Sequence, residues 1–332
     1  MEQSVVKVIA LGLCALVAFA SQSVNSADRE QPAVSGDEYM RLEVCEACHE
    51  EYVNDIKSTP HWMTGDLRTP ASVYQCASCH GNVDQHVENE GGADVGGMKS
   101  FSKAGMMTAA EQNAVCMQCH KEAGLMHWAG SGHAAEDVGC VACHRIHEED
   151  LVRSRRSEAE VCYSCHTELR AQVNKPYGHP LREQLMTCGD CHNAHGGVGE
   201  ADLKTFTVNE ACYGCHAEKR GPFLWEHPPA AENCLLCHSA HGSIHRGMLE
   251  RREPLLCQSC HEPAALANNP RGPHAQHSRL GLSYRPPGGT TDLGPGGPGG
   301  RGISRLVMGQ GCGNCHGHVH GSNHPAGATL MR

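Results

Sequence analysis

Apolar residues are spread unevenly along the chain. The one long apolar run is residues 8–20, preceded by Lys7 and followed by small residues. Thirteen residues are too few to span a bilayer, and the order of features is that of a secretory signal peptide. Cleavage fits after Ala20 or after Ser26, so 1–26 is set aside from the fold as a signal peptide. Cys14 follows Leu13, where a lipoprotein signal would place a small residue, so lipidation is not expected. The rest has no other long apolar segment and is expected to be exported and soluble on its own. Short helices are expected over 157–168, 207–219 and 250–261, with Thr108, Ser157 and Asn209 in helix-start positions. What remains reads as coil with little or no β-sheet.

Composition changes this picture. Leu, Val, Ile and Phe together are 54 of 332 residues, or 16%, and aromatic residues are 4%. A share below about 20% signals disorder when net charge is also high. Here the formal charge is only −10, so self-repulsion is not the cause. An ordinary aliphatic-cored globule is excluded, as is a transmembrane bundle. The outliers are 21 Cys and 25 His.

Apart from Cys14, every cysteine falls in a CxxC pair followed at once by His. The ten motifs are Cys45/Cys48/His49, Cys76/Cys79/His80, Cys116/Cys119/His120, Cys140/Cys143/His144 and Cys162/Cys165/His166, then Cys188/Cys191/His192, Cys212/Cys215/His216, Cys234/Cys237/His238, Cys257/Cys260/His261 and Cys312/Cys315/His316. Ten such histidines by chance have a probability on the order of 10⁻¹¹, and C-x-x-C-H is the attachment signature of c-type haem. The two thiols add to the two vinyl groups on one porphyrin edge, which one helical turn spans. The adjacent His then reaches the iron as proximal ligand. Disulfides or zinc knuckles would not require a His after every pair. Ten covalently bound haem c groups are therefore expected.

Fifteen histidines remain, enough for a second axial ligand at every iron. The motifs form five doublets, each with one His upstream of its second motif and another just after it. These are His61 with His86, His133 with His147, His179 with His195, His227 with His241, and His277 (or His274) with His320 (or His318). A His three residues past a proximal one lies on the same helical face and cannot reach round its own haem, so it should serve a neighbour. Which serves which is not fixed by sequence. His127, His245 and His324 read as solvated or propionate-pairing side chains. The twelve Met show no regular offset from the motifs and read as packing against haem.

With two His per iron no coordination position stays open. No CxxCK motif marks a five-coordinate centre. The expectation is outer-sphere electron transfer at low potential, with no catalytic residues and no enzyme activity of its own. Ten haems on about 306 residues leave roughly 31 residues each, so the rings must pack edge to edge.

Spacings of about 22–26 residues through the middle make an internal repeat too short to hold a core without haem. Two pentahaem halves are expected, 27–185 and 186–332. The stretch 285–302 holds 8 Gly and 4 Pro and reads as a flexible loop, with partner docking near the last haem as the sharper alternative. Residues 262–332 carry a net +4.

The chain resembles the MtrA/DmsE-type periplasmic decahaem cytochromes, which include the PioA and MtoA relatives. The matching segments are His61-Trp-Met-Thr-Gly-Asp-Leu-Arg-Thr-Pro70, Trp128-Ala-Gly-Ser-Gly-His133, and Cys312-Gly-Asn-Cys-His316-Gly-His-Val-His320-Gly-Ser-Asn-His-Pro325. The resemblance covers essentially the whole mature chain, and 285–302 departs from the compact linker it would lead one to expect. It implies an elongated haem wire inside an outer-membrane porin-like β-barrel, whose polar lumen would sheath it. The implied partners are that barrel, periplasmic redox proteins and an extracellular multihaem cytochrome, with no nucleic acid. Electrons would pass between periplasmic carriers and external metal oxides or Fe(II). A free periplasmic shuttle to a terminal reductase is the alternative.

Overall fold

A computed structural model describes residues 41–92, 95–102, 107–261, 311–325, 327 and 330. The signal segment, the loop 285–302, His274 and His277 lie outside the described residues. Among the described residues the chain is short helices joined by turns, with no strand. Five isolated antiparallel bridges are its only extended pairings there: Gly81 with Met98, Tyr177 with Ser243, His192 with Leu203, Trp225 with Ser322, and His238 with Leu249.

The helices are set by the motifs. In nine of the ten, the His N–H donates to the carbonyl of the first Cys at 2.8–3.0 Å, closing one helical turn. Odd-numbered motifs place their first Cys on an α-helix: α1 (Leu42–Lys57), α2 (Ala109–Cys116), α3 (Glu158–Tyr163), α4 (Val208–Tyr213) and α5 (Leu255–Gln258). The even motifs four to ten open a 3₁₀ turn instead, at Cys140–Ala142, Cys188–Asp190, Cys234–Leu236 and Cys312–Asn314.

The helices expected over 157–168 and 207–219 are broken at the motif histidine. His166 (φ −89°, ψ 61°) separates α3 from the helix Thr167–Val173, and His216 (φ −104°, ψ 48°) ends the first segment of the other. His49 breaks α1 in the same way (φ −121°, ψ 43°). Each imidazole has to leave the helix surface to point across its ring position, and the backbone bends to let it. Over 250–261 only Leu255–Gln258 is α-helical.

Thr108 is a helix start as expected, in a capping box with Glu111. Ser157 sits at the N-cap position but its hydroxyl donates to Leu151 O. Asn209 lies inside α4, which Thr207 caps with Glu210.

Asn209 has turned inward. Its Nδ2 donates to Ala230 O and Ala231 O, and its Oδ1 accepts from Cys234 N at 2.8 Å. Asn113 holds Cys140 N in the same way at 2.7 Å. In the intervening doublet Glu158 accepts from Cys188 N and Gly189 N, and in the last Glu253 accepts from Gly313 N. A side chain three or four residues before the first Cys of an odd motif therefore fixes the even motif of the same doublet. These staples satisfy N–H groups at a turn start that would otherwise be unpaired.

Apolar burial is sparse. The buried hydrophobic residues are Val53, Ile56, Ala77, Val83, Val115, Tyr163 and Val173, while Leu236, Met126 and Phe206 stay exposed on the polypeptide.

Candidate haem ligand centres

The imidazoles meet two by two. Ring centres stand 6.0 Å apart for His49 and His86, 6.1 Å for His80 and His147, 6.0 Å for His61 and His120, 5.8 Å for His144 and His195, and 6.1 Å for His133 and His166. The series continues with His192 and His241 at 6.2 Å, His179 and His216 at 6.4 Å, His238 and His320 at 6.0 Å, and His227 and His261 at 6.2 Å. Each pair joins one motif histidine to one of the patterned histidines. Two imidazoles trans on one iron, each nitrogen about 2 Å from the metal, have ring centres about 6 Å apart. The donor set and spacing therefore fit haem iron, and these nine pairs are the residues that would hold it.

The pairing has a rule that sequence alone does not give. The His after an even motif meets the motif histidine two places earlier: His147 with His80, His195 with His144, His241 with His192 and His320 with His238. The His before an even motif meets the next odd motif: His61 with His120, His133 with His166, His179 with His216 and His227 with His261. His86 meets His49 at the chain start. Between His318 and His320, it is His320 that faces a motif histidine, while His318 faces His324 at 6.4 Å. The candidate His277 and its alternative His274 lie outside the described residues.

The tautomer follows from the acceptors. His80, His86, His133, His179, His192, His227 and His238 each place Nδ1 2.6–3.0 Å from a backbone carbonyl: Lys99, Gly92, Ala194, Ala240, Ala201, Val319 and Gly247 in turn. A carbonyl only accepts, so Nδ1 carries the proton and Nε2 keeps the lone pair that binds metal. Three of these bonds, from His133, His179 and His227, end one residue before His195, His241 and His320, stitching the second, third and fourth doublets each to the next. The glycines after those three, Gly196, Gly242 and Gly321, have φ between +110° and +132°, and a Cβ there would strike His127 O, Gln172 O or the Phe223 ring.

Burial lowers the pKa of His61, His80, His147, His195, His241, His261 and His320 below the ordinary histidine value. That favours the neutral imidazole, the form that ligates.

The sulfurs are ordered too. None of the twenty motif thiols is in a disulfide. First cysteines are paired within each doublet: Cys45 with Cys76, Cys116 with Cys140, Cys162 with Cys188, Cys212 with Cys234, and Cys257 with Cys312. Hydrogen bonding across these contacts lowers Cys45, Cys140 and Cys312 to about 7 and pushes Cys76, Cys116 and Cys257 up. Burial raises the second cysteines Cys79, Cys143, Cys191 and Cys237, and each also feels the second thiol of the following motif: Cys119, Cys165, Cys215 and Cys260. Haem attachment turns every one of these thiols into an uncharged thioether, so the shifts report proximity. First-to-first contacts within doublets and second-to-second proximity between them link all ten motifs in chain order.

Six of the motif thiols are exposed: Cys48, Cys119, Cys165, Cys215, Cys260 and Cys315. Cys48 lies within α1, and Cys315 N donates to Cys312 O at 3.1 Å.

Comparison with known proteins decides the family. The chain is 43% identical over 291 residues to the multiheme cytochrome MtrA of Shewanella baltica (strain OS185), covering 87% of this chain and 80% of that protein. The chain belongs to the MtrA family of multihaem cytochromes. It binds haem c covalently and is an electron-transfer protein. Residues 179–221 and 227–266 match the family described as "Doubled CXXCH motif", and 76–154 match "Cytochrome c-type protein NrfB-like". The chain is also 33% identical over 116 residues to the cytochrome c-type protein NrfB of Escherichia coli O6:H1, covering 33% of this chain and 58% of that one. Among the described residues no helix is long and apolar enough to cross a membrane.

Asn113, Glu158, Asn209, Glu253 and Asp150 were not legible as functional residues. For the staples the available signal was an Asn or Glu three or four residues before alternate motifs.

Proposed function

We propose that this protein is an electron wire with every iron held between two imidazoles. It would be exported, inserted in a porin-like outer-membrane barrel, and link periplasmic redox carriers to extracellular donors or acceptors such as Fe(II) and metal oxides. Bound haem supplies a one-electron Fe(III)/Fe(II) couple. The chain's own contribution is placement. The observation that carries the reading is the nine imidazole pairs at 5.8–6.4 Å. An iron with both axial positions filled offers a substrate no coordination site, so the chain is no enzyme by itself and electrons leave by outer-sphere transfer.

The pairing of first thiols within doublets and the nearness of second thiols between them support the wire itself. Thioethers in contact require the porphyrin edges that carry them to be neighbours, so each haem edge would face the next in chain order. The first and tenth motifs would then be the two ends of the series, where electrons enter and leave. No helix in the described residues could carry this chain through lipid unaided. A barrel satisfies its own backbone and leaves a polar lumen, which suits a protein whose staples are Asn, Glu and backbone carbonyls.

The test is fractionation of the native host. Solubilised outer membranes should yield this cytochrome in a stable complex with a large β-barrel. Recovery solely as a soluble monomer would overturn the conduit in favour of a free periplasmic shuttle.

A further inference from the structure

The fourth motif departs from its counterparts at one atom. In the second, sixth and eighth motifs the proximal imidazole donates from Nδ1 to a backbone carbonyl, at Lys99, Ala201 and Gly247. His144 instead donates to Asp150 Oδ2 at 2.9 Å. A carboxylate accepts and does not donate when ionised, so the proton direction is fixed. The other Asp150 oxygen, Oδ1, is buried with no hydrogen-bond partner, and the side chain is only 21% exposed. Charge on this residue reaches both sides of the junction between the third and fourth motifs, since His61 and Cys143 both feel it. Arg153 also acts on His61, with the opposite sign. The carboxylates Glu168 and Glu218 stand 3.9 Å from His166 and His216, beyond hydrogen-bond reach and exposed.

We propose that Asp150 is a positioning residue that makes the fourth haem the low-potential step of the wire. A carboxylate accepting from Nδ1 draws the proton away from the ring and makes Nε2 a stronger donor than a neutral carbonyl does. A stronger donor favours Fe(III) over Fe(II), and hydrogen bonding to an axial ligand is one of the levers that set haem potential. The orphaned Oδ1 leaves the negative charge incompletely neutralised, which acts in the same direction. Electrons then populate haems on either side of the fourth before the fourth itself, which divides the wire into a three-haem and a six-haem segment.

The inference rests on His144 being an iron ligand. In the full haem-loaded chain, Asp150→Asn keeps an acceptor of similar shape and removes the charge. Spectropotentiometry should then show about one tenth of the total haem absorbance moving to higher potential. Reduction of that haem should become easier by about tenfold, which is 59 mV for one electron. Asp150→Glu should restore the parent curve. Glu148→Gln, which removes an exposed carboxylate paired with Arg145, should leave it unmoved. A curve for Asp150→Asn superimposable on the parent, or an equal shift for Glu148→Gln, would overturn the assignment.

The parent supplies a second test that needs no folded variant. One tenth of its low-spin ferric EPR intensity should show imidazolate-like, reduced g anisotropy, and its absence would count against Asp150. A high-spin signal from the parent would instead strike at the ligation reading beneath it.

Discussion

The first doublet and the region around the fourth solve the same problem with different materials. Residues 41–102 bury Val53, Ile56, Ala77 and Val83, two of them on the long helix α1. Residues 187–261 bury no hydrophobic side chain at all, and the side chains they do bury are Asn209 and Ser243. Asn209 makes three backbone hydrogen bonds within its doublet, and Ser243 pairs with Tyr177 of the preceding one. The first doublet therefore has a small polypeptide core. The region around the fourth has polar staples that fix turns and leave apolar burial to the porphyrins. The lesson is that hydrogen bonds specify this fold where apolar contact between side chains is missing, and specification alone does not stabilise a chain. A hydrogen bond nets only about 1 kcal/mol on folding, set against roughly 1–2 kcal/mol of backbone entropy per residue.

The largest expected effect comes from removing haem. Chain exported without haem attachment should lose its cooperative unfolding transition, with hydrogen exchange over 187–261 unprotected. A protected, cooperatively melting 187–261 in the apo-chain would break the comparison. Next, Ile56→Ala in the haem-loaded protein should cost about 2–5 kcal/mol, since it truncates a buried side chain of that small core. The loss should appear as faster exchange over 41–102 and leave 187–261 unchanged.

Asn209→Ala should do the reverse, at about 1–3 kcal/mol, by leaving Cys234 N and two carbonyls unpaired. Its signature is faster exchange around Cys234 with α1 undisturbed. The smallest effect is at Asp66, which hydrogen bonds from Arg68 hold at about 2, well below the usual carboxylate range. A depressed carboxylate stabilises above its unfolded value, about 4, and loses that contribution as pH falls through about 2. The pair is exposed, so carboxylate titration by NMR should show Asp66 ionising near 2 while Asp66→Asn leaves the melting temperature at pH 7 almost unchanged.

Sequence revealed the chemistry more fully than the architecture. Ten CxxCH motifs announce haem because the spacing follows from where the vinyl groups sit, and the regular offsets single out histidines such as His195 and His241 that meet motif imidazoles in space. Which imidazole meets which was not legible. His195 reaches His144 across 51 positions because the turn after the sixth motif points away from its own ring, and that direction is tertiary. The helix breaks at His166 and His216 were missed because propensity favours continuing, while the imidazole's position requires a bend. Asn209 looked like a cap and is a staple, since a neighbouring Thr207 takes the cap and frees the amide to turn inward.

The central claim is that this chain holds its irons between paired imidazoles and so only relays electrons. Quantitative EPR of the fully oxidised protein, calibrated against haem content by mass, tests it most directly. Ten haems per chain, all low-spin, are expected. A high-spin ferric signal amounting to one haem in ten or more would contradict it.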